Sequence, residues 1–264
     1  MKELDIIMRE SCDLIFRVGD FIKQERKNFD ASHIEAKGKN DMVSYVDKTA
    51  EKMLVQGLRS ILPISGFITE EETVKNSTKD FTWIIDPLDG TTNFIHGLPM
   101  FSISVALLHH SEIVMGLIYE INRNEMFSAL KGKGSYVNDE RIQVTPVSTL
   151  QDALIGTGFP VKNFDHLESY LQVIKTLVQN SHGIRRGGSA ATDLAYVACG
   201  RIDAFFEYNL NPWDVAAGIL MVREAGGTVT DFTGAPNALF GNQIIAAGGV
   251  FSELQALISS CWYG

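Results

Sequence analysis

Long apolar runs are missing from this 264-residue sequence. None approaches the ~18 residues that would span a bilayer. The opening segment carries Glu3, Asp5, Arg9 and Glu10, and so lacks the apolar core of a secretory signal. Cysteine is scarce, and Cys12, Cys199 and Cys261 stand too far apart for metal-ligand spacing. Free thiols in a reducing cytoplasm follow from that. Positive charge is short too: 23 Lys and Arg against 32 Asp and Glu leave a net −9. That balance argues against partners such as nucleic acid or an anionic membrane. It also makes an anionic substrate a puzzle unless local cations reverse the field. Neither a GxxxxGK[ST] nor a GxGxxG sequence occurs, which removes the common nucleotide-binding loops. Repeats and low-complexity segments are absent.

What remains is an ordinary globular composition, 45% hydrophobic and 21% charged. Its length suits one large domain or two interlocked halves. Leu4, Ile7, Ser11, Leu14, Ile15, Val18 and Ile22 recur at helical spacing and predict an amphipathic helix over 3–27. Residues 31–45 read as polar and irregular, with a basic patch at Lys37-Gly38-Lys39. A second helix opens at Asp47 and ends before Pro63. Gly66–Thr69 reads as a strand running into Glu70-Glu71-Glu72, and strands at Ser102–Leu108, Ile113–Tyr119, Met126–Leu130, Gly134–Val137 and Ile142–Val144 predict an antiparallel meander. Beyond it, strands at Ala153–Thr157, Ile202–Glu207, Thr228–Asp231 and Gln243–Ala247 alternate with helices at His166–Val178, Ser189–Ala198, Asp214–Ala225 and Ser252–Ser259. The alternation predicts an α/β half. The division is 1–145, two helices plus the meander, and 146–264, the α/β half, acting as one integrated unit.

One stretch organises the rest: Thr82–His96, TWIIDPLDGTTNFIH. A short apolar strand, Trp83-Ile84-Ile85, delivers Asp86 and Asp89 around Pro87, which cannot continue a strand's hydrogen bonding. Gly90-Thr91-Thr92 then starts a helix. Strand, acid pair and free backbone N–H groups suit a divalent cation beside a phosphate. Asp-Pro and Asp-Gly pairs are also ordinary turn chemistry. Glu70 and Asp214 likewise sit where apolar elements end or begin, and Asp214 reads equally well as a helix cap after Asn211-Pro212-Trp213. Four carboxylates in one crevice would repel and take up protons unless cations neutralised them. Hard oxygen donors with no His or Cys among them point to Mg²⁺ and to phosphoryl transfer.

Trp83 to Phe94, read WIIDPLDGTTNF, resembles the first signature of the inositol monophosphatase family of Mg²⁺-dependent, lithium-sensitive phosphatases. Trp213-Asp214-Val215-Ala216-Ala217-Gly218, running to Gly226-Gly227, resembles its second, and the likeness extends over nearly the whole chain. The resemblance implies a five-layer αβαβα sandwich and two to three Mg²⁺ per subunit. It places Glu70, Asp86 and the Leu88 carbonyl on one metal, with Asp86, Asp89 and Asp214 on a second. Glu70 would also reach a third, and the nucleophile would be a water activated beside Thr91 and Asp47. Gly90 and Thr91 would offer N–H groups to phosphate, while Gly188, Ser189, Ala190 and Glu207 would bind the substrate.

Two positions depart from the family pattern. Thr69 stands where a glycine is frequent, and Pro212 where a cysteine is. Neither removes a ligand. The function implied is hydrolysis of myo-inositol 1-phosphate by a cytoplasmic homodimer with no nucleic-acid or membrane partner. The alternatives are a relative acting on NADP, 3′-phosphoadenosine 5′-phosphate or fructose 1,6-bisphosphate, or a non-catalytic regulatory protein on the same fold.

Overall fold

The computed structural model describes residues 3–29, 34–38, 41–160 and 163–263. Helix α1 (Leu4–Lys27), strands β1 (Ile34–Gly38) and β2 (Asp41–Ser44) and helix α2 (Tyr45–Ile61) come first. Strands β3 (Gly66–Thr69) and β4 (Phe81–Asp89) and the short helix α3 (Thr91–His96) lead into the meander. Its strands are β5 (Ser102–His109), β6 (Glu112–Glu120), β7 (Glu125–Leu130), β8 (Gly134–Val137) and β9 (Glu140–Ile142). The remainder runs β10 (Leu154–Thr157), α4 (Leu167–Asn180), β11 (Gly183–Arg185), α5 (Ala190–Ala198), β12 (Ala204–Tyr208) and α6 (Pro212–Glu224), then β13 (Thr228–Thr230), β14 (Gln243–Ala247) and α7 (Phe251–Tyr263).

Two mixed sheets divide the helices into layers. The larger follows chain order from β3 to β9 and is antiparallel except for the β3–β4 pair. The smaller has the order β11-β10-β12-β14-β13, with β10 parallel to both neighbours. Three apolar cores fill the gaps. Helices α1 and α2 cover the outer face of the large sheet, burying Ile15, Val18, Ile22, Leu54 and Leu58 against Trp83, Ile85 and Val105. Each such side chain contributes about 1.5–3 kcal/mol of burial. Helices α5 and α6 lie between the sheets, with Leu194, Ala217 and Met221 meeting Ile84, Ile118 and Phe205. Helices α4 and α7 close the far side through Tyr170, Val173, Leu254 and Trp262 on Phe206 and Ile245. The order is helix, sheet, helix, sheet, helix, as the αβαβα expectation requires.

Several local readings need correction. Part of the stretch taken as irregular is the β1–β2 hairpin, whose register shifts between Ala36 and Gly38. Lys39 of the basic patch lies outside the described residues. Helix α2 opens at Tyr45 rather than Asp47, because Ser44 caps it and Asp47 closes a capping box from the third helical position. Strand β4 continues past Pro87 to Asp89 through an irregularity between Asp86 and Asp89 opposite Ser104 and Ser102. A bulge absorbs the residue that cannot donate. Strand β9 lies ahead of the predicted Ile142–Val144, and β11 went unpredicted.

Candidate active site

The bulge in β4 sets the site, because it turns Asp86 and Asp89 out of the sheet's regular alternation at the strand's end. Asp86 is 2% exposed, and its Oδ1 accepts the Leu88 N–H at 2.9 Å. Gly90 follows at φ +98°, a left-handed conformation that favours glycine. A Cβ there would also stand 3.1 Å from the Met100 carbonyl oxygen. The turn therefore delivers Thr91 to the start of α3.

The Thr91 hydroxyl lies 2.8 Å from Asp47 Oδ1 and 3.0 Å from the Leu88 carbonyl. It has one proton and can donate to only one of them at a time. Asp47 is 1% exposed and also accepts the Ser44 N–H at 2.9 Å and the Ser44 hydroxyl at 2.5 Å. Burial pushes its carboxyl above the ordinary range despite those three donors.

The opposite wall comes from the α/β half. Asp89 Oδ2 accepts from the Ser189 hydroxyl at 2.6 Å and the Ala191 N–H at 2.7 Å, which ties β4 to the start of α5. Asn93 adds a second tie, donating from Nδ2 to the Met100 and Gly187 carbonyls. Asp214 occupies the third position of α6 and accepts the Asn211 N–H at 2.7 Å, so it is a helix cap as well as a candidate ligand. Glu70 leaves β3 beside Ile85, whose carbonyl accepts its N–H.

Together these elements enclose a cleft of about 170 Å³. Of the residues singled out from the sequence, Glu70, Asp89, Gly188, Ser189, Ala190, Glu207 and Asp214 line it. Asp86 stands close enough that Glu70, Asp89 and Asp214 all raise its pKa, after burial as the first cause. Leu88, Gly90, Thr91 and Asp47 do not line the cleft; Leu88, Thr91 and Asp47 form one hydrogen-bonded group beside Asp86 and Asp89, joined to Asp89 through the Gly90 turn. Sequence reasoning missed the lining residues Phe159, Arg186, Asp193, Asn209 and Asn211. For Ser44 a signal existed, since Ser44-x-x-Asp47 is a capping-box spacing. Asp193 gave none, being one polar residue inside an alanine-rich helix.

Charge is the site's main property. Burial raises Asp89 to about 6, although Ser189 and Ala191 pull it down. Glu207 is raised well above the carboxylate range by burial, Asp193 and Asp214, with Arg186 opposing. The donor set is all oxygen and short of positive charge, which fits a hard divalent cation. The carboxylates are not gathered on one point: among the described residues no three His, Cys, Asp or Glu side chains converge closely enough to grip an ion. Their backbone and hydroxyl donors hold them apart, as mutual repulsion demands.

The chain matches the inositol monophosphatase family over residues 3–262. It is 43% identical over 246 residues to a putative Nus factor SuhB of Neisseria meningitidis serogroup B, covering 92% of this chain and 94% of that protein. Among solved structures, the extragenic suppressor protein suhB of Bartonella henselae superposes with a TM-score of 0.90 at 39% identity, covering 96% and 98% of the two chains. The IMPase of Thermotoga maritima gives 0.88 at 35%, covering 99% and 98%. The Nus-factor name on close relatives overturns the expectation of no nucleic-acid partner, which is withdrawn. That expectation rested on net charge, and net charge limits non-specific phosphate binding without ruling out a local contact or one made through other proteins. By family match and by fold, the chain belongs to the inositol monophosphatase family.

Proposed function

We propose that this protein hydrolyses a small phosphate monoester, with myo-inositol 1-phosphate the leading substrate. The observation that carries the reading is the Thr91–Asp47 bond of 2.8 Å beside the Asp86–Asp89 pair. Glu70, Asp86, the Leu88 carbonyl, Asp89 and Asp214 would hold Mg²⁺, two or three ions in the fullest reading. The cation supplies positive charge to the phosphate oxygens and lowers the pKa of a neighbouring water. Thr91 orients the attacking water through its hydroxyl lone pairs while its own proton points to Asp47. Buried Asp47, held above its ordinary pKa, is poised to take up a proton relayed through that hydroxyl. The N–H groups of Gly90 and Thr91 face the phosphate, and Ser189, Ala190 and Glu207 contact the leaving group. Lithium sensitivity, a two-fold dimer and a cytoplasmic location belong to the same proposal. The three free thiols agree with that location, and among the described residues no helix is long and apolar enough to cross a membrane.

A second reading is a regulatory protein on this fold, and the names of the curated relatives favour it over any single-substrate assignment. The two are compatible, because a retained cleft does not prevent an outer surface from meeting partners. A panel of phosphate esters, assayed in excess Mg²⁺ and again in excess chelator, separates them. Turnover of an inositol phosphate that chelation abolishes supports the phosphatase. No turnover of any ester removes it and leaves the regulatory reading standing.

A further inference from the structure

Asp193 is a buried acid without a structural task. It sits on the first turn of α5 and is 3% exposed. Among the described residues its carboxyl takes part in no hydrogen bond and no ion pair within 4 Å, yet it lines the cleft. Its Oδ1 rests against Gly187, where a Cβ would stand only 2.6 Å away. Glu207, reaching in from β12, is seated the same way against Gly158, whose Cβ would lie 2.0 Å from its Oε1. Two carboxyls thus enter one half of the cleft from different elements, each let in by a glycine. Arg186 is the only cation among the described lining residues, and its charge is already spread over Asp89, Asp193 and Glu207.

A carboxyl 3% exposed that faces a cleft and has no protein partner among the described residues is free to bond a group bound there. Such a group persists where something outside the chain completes it. Two buried carboxyl groups facing one cleft suit the hydroxyls of a leaving group, and with Arg186 the one cation among its described lining residues they leave a second phosphate's charge uncompensated. We propose that Asp193 joins Glu207 in binding adjacent hydroxyls of the leaving group, so that the cleft selects a neutral polyol over a leaving group bearing another phosphate. This rests on the phosphatase reading and narrows it, disfavouring the nucleotide and bisphosphate alternatives.

Kinetics with three esters test it: myo-inositol 1-phosphate, p-nitrophenyl phosphate with no hydroxyl on its leaving group, and fructose 1,6-bisphosphate with a second phosphate. Wild type should prefer the first over the third. Asp193→Ala should raise KM for the inositol ester by ~10-fold, about one lost hydrogen bond. The ratio of its kcat/KM to that of the p-nitrophenyl ester should fall by the same factor. Asp193→Asn, which still bonds hydroxyls, should recover most of it. Thermal unfolding of metal-free Asp193→Ala should move upward, because an unsatisfied acid has gone; a downward shift would assign Asp193 a structural role. Equal losses on both monoesters, or no loss, overturn the proposal, as does wild type favouring the bisphosphate. Should wild type hydrolyse no ester, the phosphatase reading falls, and calorimetric binding of myo-inositol 1-phosphate in Mg²⁺ takes over. Weaker binding by Asp193→Ala then upholds the subsite, and equal or undetectable binding overturns it.

Discussion

Asp89→Asn reverses its effect on stability with pH. In the free protein the Asp89 carboxyl titrates at about 6 against a reference of 3.8. Between those values the folded state holds a proton that the unfolded state has released, so stability falls as pH rises through this window. The cost starts near pH 4 and is complete above about pH 6, where the rise from 3.8 to about 6 amounts to about 3 kcal/mol. Asn cannot ionise and escapes that cost. It also accepts less well than a carboxylate from Ser189 and Ala191, a loss of about 1 kcal/mol. The variant should therefore be slightly less stable than wild type near pH 4.5, and about 1–2 kcal/mol more stable at pH 8, in chelator. Urea unfolding at the two pH values measures this, and comparing variant with parent cancels the repulsion common to an acidic chain. Adding Mg²⁺ at pH 8 should reverse the order, because a ligand at ~100 times its Kd stabilises wild type by about 2.7 kcal/mol and the variant far less. An Asp89→Asn protein less stable than wild type at pH 8 in chelator would show that the carboxylate is a cap whose hydrogen bonds outweigh its repulsion. The reasoning from charge deficit would then be wrong.

Other outcomes follow from the same contacts. Thr91→Ala and Asp47→Asn should each lower kcat by ~10²-fold or more, and the double variant should be little worse than either, since the two act as one relay; additive losses in the cycle refute the relay. Glu51→Gln should loosen the segment after Glu70, because the buried Glu51 carboxylate accepts from the Glu71 N–H, the Thr73 N–H and the Thr73 hydroxyl at 2.7 Å each. Hydrogen exchange should report lost protection at those two amides, and unchanged protection would mean that the loop holds itself. Light scattering at micromolar concentration should give the mass of a two-fold dimer; a monomer mass there would remove assembly from the proposal.

Legibility followed chemistry that is local in sequence. Asp86, Asp89, Gly90 and Thr91 lie within six residues, and both the bulge and the left-handed turn they need are written in Pro87 and Gly90. The α1 face was equally plain, because Ile7, Leu14, Ile15, Val18 and Ile22 repeat at helical spacing and are all buried. The β1–β2 hairpin escaped because its strands are only five and four residues long and β2, Asp-Met-Val-Ser, has no apolar alternation. Strand β11 escaped for another reason: it is three residues long and is held by its parallel partner β10, not by its own pattern. Propensity has no access to such long-range pairing.

Asp193 marks the boundary of sequence reasoning. In α5 it follows Ala190-Ala191-Thr192 and precedes Leu194, where an acid near a helix start reads as a favourable dipole contact on a solvated face. The fold contradicts that, since α5 is sandwiched between two sheets and almost every residue of it is buried. What turns an unremarkable acid into a candidate contact is the approach of Gly187 and of Glu207, from positions 6 and 14 residues distant in the chain. The acids proposed to hold Mg²⁺ were legible because a cation demands several of them in a fixed pattern. A contact that reads substrate hydroxyls needs only one residue, in the right place, with nothing else bonded to it. Absence of a partner is a property of the folded structure alone, so a residue of this kind has to be sought in the cleft and not in the signatures.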